Sequence, residues 1–160
     1  MVKIKRLLYI ISQSAPFRPN LTKIAQRIDV HRNQIADYLF YLEKAGIIAQ
    51  LRNRTKGVRL LGKVDKVYLD NPNLIYAIAE GTPDKGSMRE TFFLNQMRVN
   101  HSVLLSEVAD FQIDNLTFEV GGPNKTRRQL TGEANAYVVK DDIEYGYNGT
   151  IPLWSFGFNY

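Results

Sequence analysis

The sequence predicts an α+β chain: an N-terminal winged helix-turn-helix followed by a small α/β domain. Three observations carry this. Residues Leu21 to Ile48 place apolar side chains at helical spacing around one tight turn. Short β-prone runs separated by polar turns fill the second half. Charge divides sharply between the halves.

Lys3 to Ser14 reads as a first helix, which Pro16 and Pro19 forbid from continuing. The opening MVKIKRLLYIISQS has too short an apolar run for a signal peptide, and no small-residue cleavage site follows. Leu21, Ile24, Ala25 and Ile28 mark a second helix, with Val30 as an apolar plug in the turn. A third helix spans His31–Ala45 on Ile35, Leu39 and Leu42, and Gly46 supplies its C-cap. Ile47–Leu51 then begins a strand, 52–57 forms a polar turn and Val58–Leu61 a return strand. Three helices and this hairpin make a winged helix over residues 1–70.

Lys66 to Pro72 reads as a further strand ending in a turn, and Asn73–Ala79 as a short helix in the connecting segment over residues 71–87. Gly81–Ser87 has the Gly-to-Gly spacing of a phosphate-binding loop, but the lysine that must follow the second Gly is missing. No nucleotide site is expected there. The second domain, residues 88–160, opens with a helix from Met88 to Asn100 that places Phe92, Phe93, Met97 and Val99 in its core. Strands are expected at Val103–Leu105, Val108–Ile113, Thr117–Val120 and Ala136–Val139, with a basic helical segment at Asn124–Leu130. The aromatic ending from Ile151 and the tyrosines Tyr137, Tyr145 and Tyr147 are expected to pack on the sheet.

Residues 1–64 hold 13 Lys and Arg against 3 Asp and Glu, a net of +10; residues 65–160 hold 8 against 13, a net of −5. Such asymmetry points to two modules, the first one facing a polyanion. The absence of cysteine excludes disulfides and thiolate catalysis and suits the cytoplasm. No apolar run is long enough to span a membrane.

His31, Arg32, Asn33 and Gln34 crowd the start of the third helix, where a recognition helix presents side chains to a major groove. Arg pairs with guanine there, and Asn or Gln with adenine. Arg52, Arg54, Lys56 and Arg59 lie on or near the wing, suited to phosphate contact. In the second domain Asp110 and Glu119 flank a turn at Asp114-Asn115, so a hairpin brings both carboxylates to one end of a sheet. Such a pair suits Mg²⁺. The layout resembles that of PD-(D/E)xK nucleases, in which a lysine two residues beyond the Glu assists the attacking water. Here that position is Gly121; Lys125 is a substitute if it projects back, and Glu90 an additional acid from the helix.

Four segments together carry a broader likeness: LTKIAQRIDVHRNQIADYLFYLEKAGII, GKVDKVYLDNPNL, GSMRETFFLNQMR, and VADFQID with FEVGG. They resemble the C-terminal module of prokaryotic AAA-type P-loop ATPases, a winged helix followed by a nuclease-like domain of unknown function. The resemblance spans nearly the whole chain and matches Glu90 to the acidic position of the helix that opens the second domain. It implies a degenerate PD-(D/E)xK fold for that domain. It also implies that ATP hydrolysis belongs to a part absent from this chain, which looks like a C-terminal fragment or a stand-alone relative.

The expected function is a non-catalytic, DNA-binding or protein-interaction module of such an ATPase. The rivals are a divalent-metal-dependent nuclease using Asp110 and Glu119, and a stand-alone winged-helix transcriptional regulator. Expected partners are double-stranded DNA and the ATPase module of the same or another chain, with neither a membrane nor a small-molecule substrate. No cofactor is expected, save Mg²⁺ if the nuclease-like site is intact.

Overall fold

In the computed structural model, which describes residues 2–53, 64–78 and 81–159, three helices open the chain. They are α1 (Val2–Ser14), α2 (Leu21–Ile28) and α3 (Arg32–Lys44). Local chemistry fixes their ends. Asp29 closes α2 in the left-handed region (φ 55°), and the Val30 N–H donates to the Ala25 carbonyl at 3.0 Å. Lys3 Nζ reaches over from α1 and donates to the Ile28 and Asp29 carbonyls, each at 2.8 Å. Gly46 (φ 67°) ends α3 and lets the Ile47 N–H turn back to the Leu42 carbonyl at 2.9 Å.

Of the spacing-predicted stripe, Ile24, Ala25 and Ile28 from α2 and Ile35, Leu39 and Leu42 from α3 are buried while Leu21 is half-buried, and Leu7, Ile10 and Ile11 from α1 join them. A two-stranded antiparallel sheet closes this core, formed by β1 (Ile48–Leu51) and β2 (Lys66–Leu69), with Ile48 opposite Leu69. Ile48–Leu51 pairs with Lys66–Leu69, and the expected return strand Val58–Leu61 lies outside the described residues. Val67, Tyr68 and Leu69 are all buried, so this pairing completes the core. Phe17 bridges the other side of β2, exchanging both backbone hydrogen bonds with Val67. A short helix, α4 (Pro72–Ile78), follows and buries Ile75.

The chain divides into two units, Met1–Pro83 and Asp84–Tyr160. The second begins with α5 (Lys85–Met97), which starts earlier than Met88 because the Asp84 carboxylate caps it, accepting from the Ser87 N–H at 2.7 Å. The helix ends before Val99, which is 63% exposed and not part of the core. Phe93 and Met97 are buried as expected.

Five strands follow: β3 (Val103–Leu105), β4 (Phe111–Ile113), β5 (Leu116–Gly121), β6 (Ala136–Lys140) and β7 (Thr150–Pro152). They lie in sequence order in one mixed sheet, antiparallel from β3 to β5 and parallel from β5 to β7. The strand β4 is shorter than Val108–Ile113. Ser106 Oγ accepts the Val108 and Ala109 N–H groups at 3.2 and 3.1 Å, a local turn that diverts them from the ladder. Short 3-10 helices at Arg127–Leu130 and Leu153–Phe158 complete the unit.

Alternation along β5 separates two faces. Phe118 faces α5, its ring 5.3 Å from Phe93 and 6.3 Å from Phe156. Glu119 and Gly121 face the other way, beside Ala136 and Val138, which Leu130 covers. No helix among the described residues is long and apolar enough to cross a membrane.

Candidate functional site

The second face of the sheet gathers the carboxylates. Asp114 (φ 53°) and Asn115 form the turn between β4 and β5, so the register that sets Phe111 against Phe118 brings Asp110 level with Glu119. The ladder stops at this point, and Asp110 Oδ2 accepts the Val120 N–H at 2.9 Å in place of a strand carbonyl. Asp110 thus sits just before β4, held by its own side chain. Glu119 is 4% exposed. A carboxylate so buried needs a counter-charge, and Lys125 supplies it, its Nζ ion-paired with Glu119 Oε1.

Lys125 arrives by a specific route. Beyond β5 the chain turns at Gly122, whose carbonyl accepts the Lys125 N–H at 3.0 Å. The lysine stem then lies back across Gly121. A Cβ at Gly121 would stand 2.8–2.9 Å from the Lys125 Cβ, Cγ and Cδ atoms, closer than carbon atoms pack. The glycine at the position where the nuclease pattern has lysine is therefore what admits a lysine from four residues further on.

Arg89 of α5 braces the end of β5. Its Nε donates to Asp141 Oδ2 at 2.9 Å, its Nη2 lies 3.5 Å from Asp142 Oδ2, and its guanidinium leaves no room for a Cβ at Gly122. The Asp141 N–H in turn donates to the Gly121 carbonyl at 2.9 Å. Glu90 belongs to α5, which packs on the opposite face. Among the described residues no group of three or more His, Cys, Asp and Glu comes together to hold a metal. Asp110 and Glu119 remain as a pair of hard oxygen donors, the number that suits Mg²⁺ when substrate phosphates and waters complete its shell.

In the first unit the four polar residues at the start of α3 are all exposed. Two of them also build the helix. His31 is the N-cap, its Nδ1 accepting from the Asn33 N–H at 3.3 Å, while Gln34 Oε1 accepts the His31 N–H at 3.0 Å. The side chains of Arg32 and Asn33 take no part in that capping box. Arg52 lies 3.8 Å from the Glu43 carboxylate. Arg54, Lys56 and Arg59 lie outside the described residues. The outer face of α3 continues through Asp37, Phe40 and Tyr41, the two aromatics 51% and 59% exposed.

The sequence reading passed over Lys140 and Arg127 as site residues and expected Tyr147 to pack on the sheet. Tyr137 does pack on the sheet, stacked on Phe118 at 5.8 Å, but Tyr145 and Tyr147 are 74% and 56% exposed and do not. The signal was present in Asn148-Gly149, a turn dipeptide that sets Tyr147 on a hairpin tip. Comparison of the chain with family models, with curated proteins and with solved structures gives no match.

Proposed function

We propose that the second unit is a divalent-metal-dependent phosphodiesterase acting on DNA, built on Asp110, Glu119 and Lys125, and that the first is a winged helix that holds the DNA. One observation carries this reading: the pairing of Lys125 with the buried Glu119. The missing lysine was the ground for expecting a non-catalytic domain, and Lys125 removes it. A PD-(D/E)xK-like arrangement with a displaced lysine accounts for Gly121, for the buried acid and for the symmetric placing of Asp110.

Asp110 and Glu119 would hold Mg²⁺ or Mn²⁺, which when bound supplies Lewis-acid chemistry at water and phosphate. The protein's own part is electrostatic. Lys125, 31% exposed, presents an ammonium from the solvent side of Glu119, where it can meet the charge that grows on phosphate oxygens. The Asp110–Val120 hydrogen bond and the Lys125 ion pair hold the two carboxylates in place.

For the first unit the support is electrostatic: 14 Lys and Arg against 6 Asp and Glu over residues 1–83. Duplex binding is expected to weaken steeply with added salt, and Arg32→Ala to lower affinity. The exposed Phe40 and Tyr41 favour a second reading, in which α3 docks on a protein such as the ATPase module. The likeness to the C-terminal module of AAA-type ATPases accommodates both.

Incubating the chain with duplex and single-stranded DNA in Mn²⁺ tests the proposal. Cleavage is expected in the wild type and a loss of about 100-fold or more in Asp110→Asn, Glu119→Gln and Lys125→Met. Equal cleavage by all four proteins, or none by any, overturns the catalytic reading and returns the chain to the interaction class.

A further inference from the structure

Beside the Glu119 site stands an aromatic ring with a cation against it. Tyr147 is 56% exposed. Lys140 Nζ sits 5.8 Å from its ring centre, 3.5 Å from its hydroxyl and 3.2 Å from the Pro123 carbonyl, in the loop that carries Lys125. The ring is held firmly. Tyr147 and Thr150 exchange backbone hydrogen bonds of 3.1 and 2.8 Å across Asn148 (φ 45°) and Gly149 (φ 73°), the positive-φ pair of a tight hairpin turn. Arg127 Nη1 donates to the Asn148 carbonyl at 3.2 Å and fills the space where a Cβ on Gly149 would stand.

This turn lies close to the carboxylates. Val138 neighbours Glu119 in the sheet, and its N–H donates to the Gly149 carbonyl at 3.0 Å. Two strand spacings, about 10 Å, thus separate the turn from Glu119. Residues 84–160 carry 7 Lys and Arg against 10 Asp and Glu. Three of those cations nevertheless lie along this stretch: Lys140 against the ring, Arg127 on the Asn148 carbonyl of the turn, and Lys125 on Glu119. An exposed ring with an ammonium against it and a guanidinium on its turn complements a nucleotide: π-face for a base, cations for phosphate.

We propose that Tyr147 stacks an unpaired base while Lys140 contacts the adjoining phosphate, so that the site takes single-stranded DNA or frayed ends. A base inside a duplex is already stacked on both faces and offers none to a tyrosine. The proposal rests on the phosphodiesterase reading for its substrate class, but its prediction is one of binding.

The test is fluorescence anisotropy of the full chain in EDTA, with a labelled thymidine oligonucleotide and a labelled blunt duplex as separate probes. Tyr147→Ala is expected to weaken single-strand binding about 5- to 100-fold and to leave duplex binding within about 2-fold. Tyr147→Phe retains single-strand affinity, whereas Tyr147→Leu, with bulk but no π-face, behaves as Tyr147→Ala. Lys140→Gln lowers the salt dependence of single-strand binding. The proposal fails if wild type does not bind the single strand, if Tyr147→Leu binds it as wild type does, or if both probes weaken alike. Tyr147-dependent binding without Mn²⁺ cleavage defeats the phosphodiesterase reading and leaves this one standing. Cleavage with no role for Tyr147 does the reverse.

Discussion

Among the described residues, the first unit buries one polar side chain, Ser12, whose hydroxyl donates to the Tyr9 carbonyl of its own helix at 2.8 Å, whereas the second buries Thr91, Ser106, Thr150 and the carboxylate of Glu119. The first unit carries a net +8 and keeps all of its described charges at the surface, available to a polyanion at no cost to its core. The second carries a net −3 and places a full charge in its interior. Stability does not call for that. An apolar pair of similar volume usually serves a core as well as an ion pair or better. The contrast therefore separates a unit whose charges lie at its surface from one built around a buried ion pair.

Removing the counter-charge tests that contrast most strongly. Lys125→Met leaves Glu119 buried and unpaired, which in a fully buried pair costs about 3–5 kcal/mol. Lys125 is 31% exposed and water softens the loss, so about 1–3 kcal/mol is expected in urea unfolding. Glu119→Leu combined with Lys125→Met should recover most of it. If Lys125→Met is as stable as wild type, Glu119 is solvated after all and the two units differ only in sign of charge.

A smaller effect is expected of Gly121→Ala. The added methyl meets the Lys125 Cβ and Cγ as well as Cδ, so the stem and its backbone must shift together, and the cost is about 1–2 kcal/mol as for overpacking. The informative quantity is coupling. In a double-mutant cycle with Lys125→Met the two losses should fail to add by about 0.5 kcal/mol or more, since both act on one ion pair. Additive losses would mean that Gly121 serves only the turn.

These residues also mark how far the sequence could be read. The three helices were legible because apolar spacing and end-caps are local: Ile35, Leu39 and Leu42 share a face, and Gly46 stops the helix whatever surrounds it. The turn at Asp114-Asn115 was legible for the same reason, and it fixes Asp110 against Glu119, each equally far from the turn. Pairing across longer stretches was not. Two apolar runs followed β1, and periodicity alone does not say that Lys66–Leu69 pairs with it. The return of Lys125 depends on a turn at Gly122 and on space above Gly121, neither of which residue types announce. Tyr145 and Tyr147 were misassigned because their alternation resembles a strand, while Asn148-Gly149 turns the chain.

The mildest expected effect lies at the entry to the second unit. Asp84 caps α5, and its carboxyl is held below its ordinary value of 3.8, first by the Ser87 backbone N–H and then by the Ser87 hydroxyl. A folded pKa below the unfolded one means that the unfolded chain binds the proton more tightly. The stabilisation is thus fully present above pH 3.8 and is lost as pH falls through the lower folded value. Asp84→Ala is expected to cost about 0.5–1 kcal/mol at neutral pH, as N-cap losses do at exposed sites. Asp84→Asn keeps an oxygen for the cap and should cost less. Urea unfolding of wild type and Asp84→Ala across the acid range should show their difference shrinking as the carboxyl protonates. A difference that stays constant with pH would show that the cap acts through shape alone, and would leave Glu119 as the carboxylate whose charge matters to this unit.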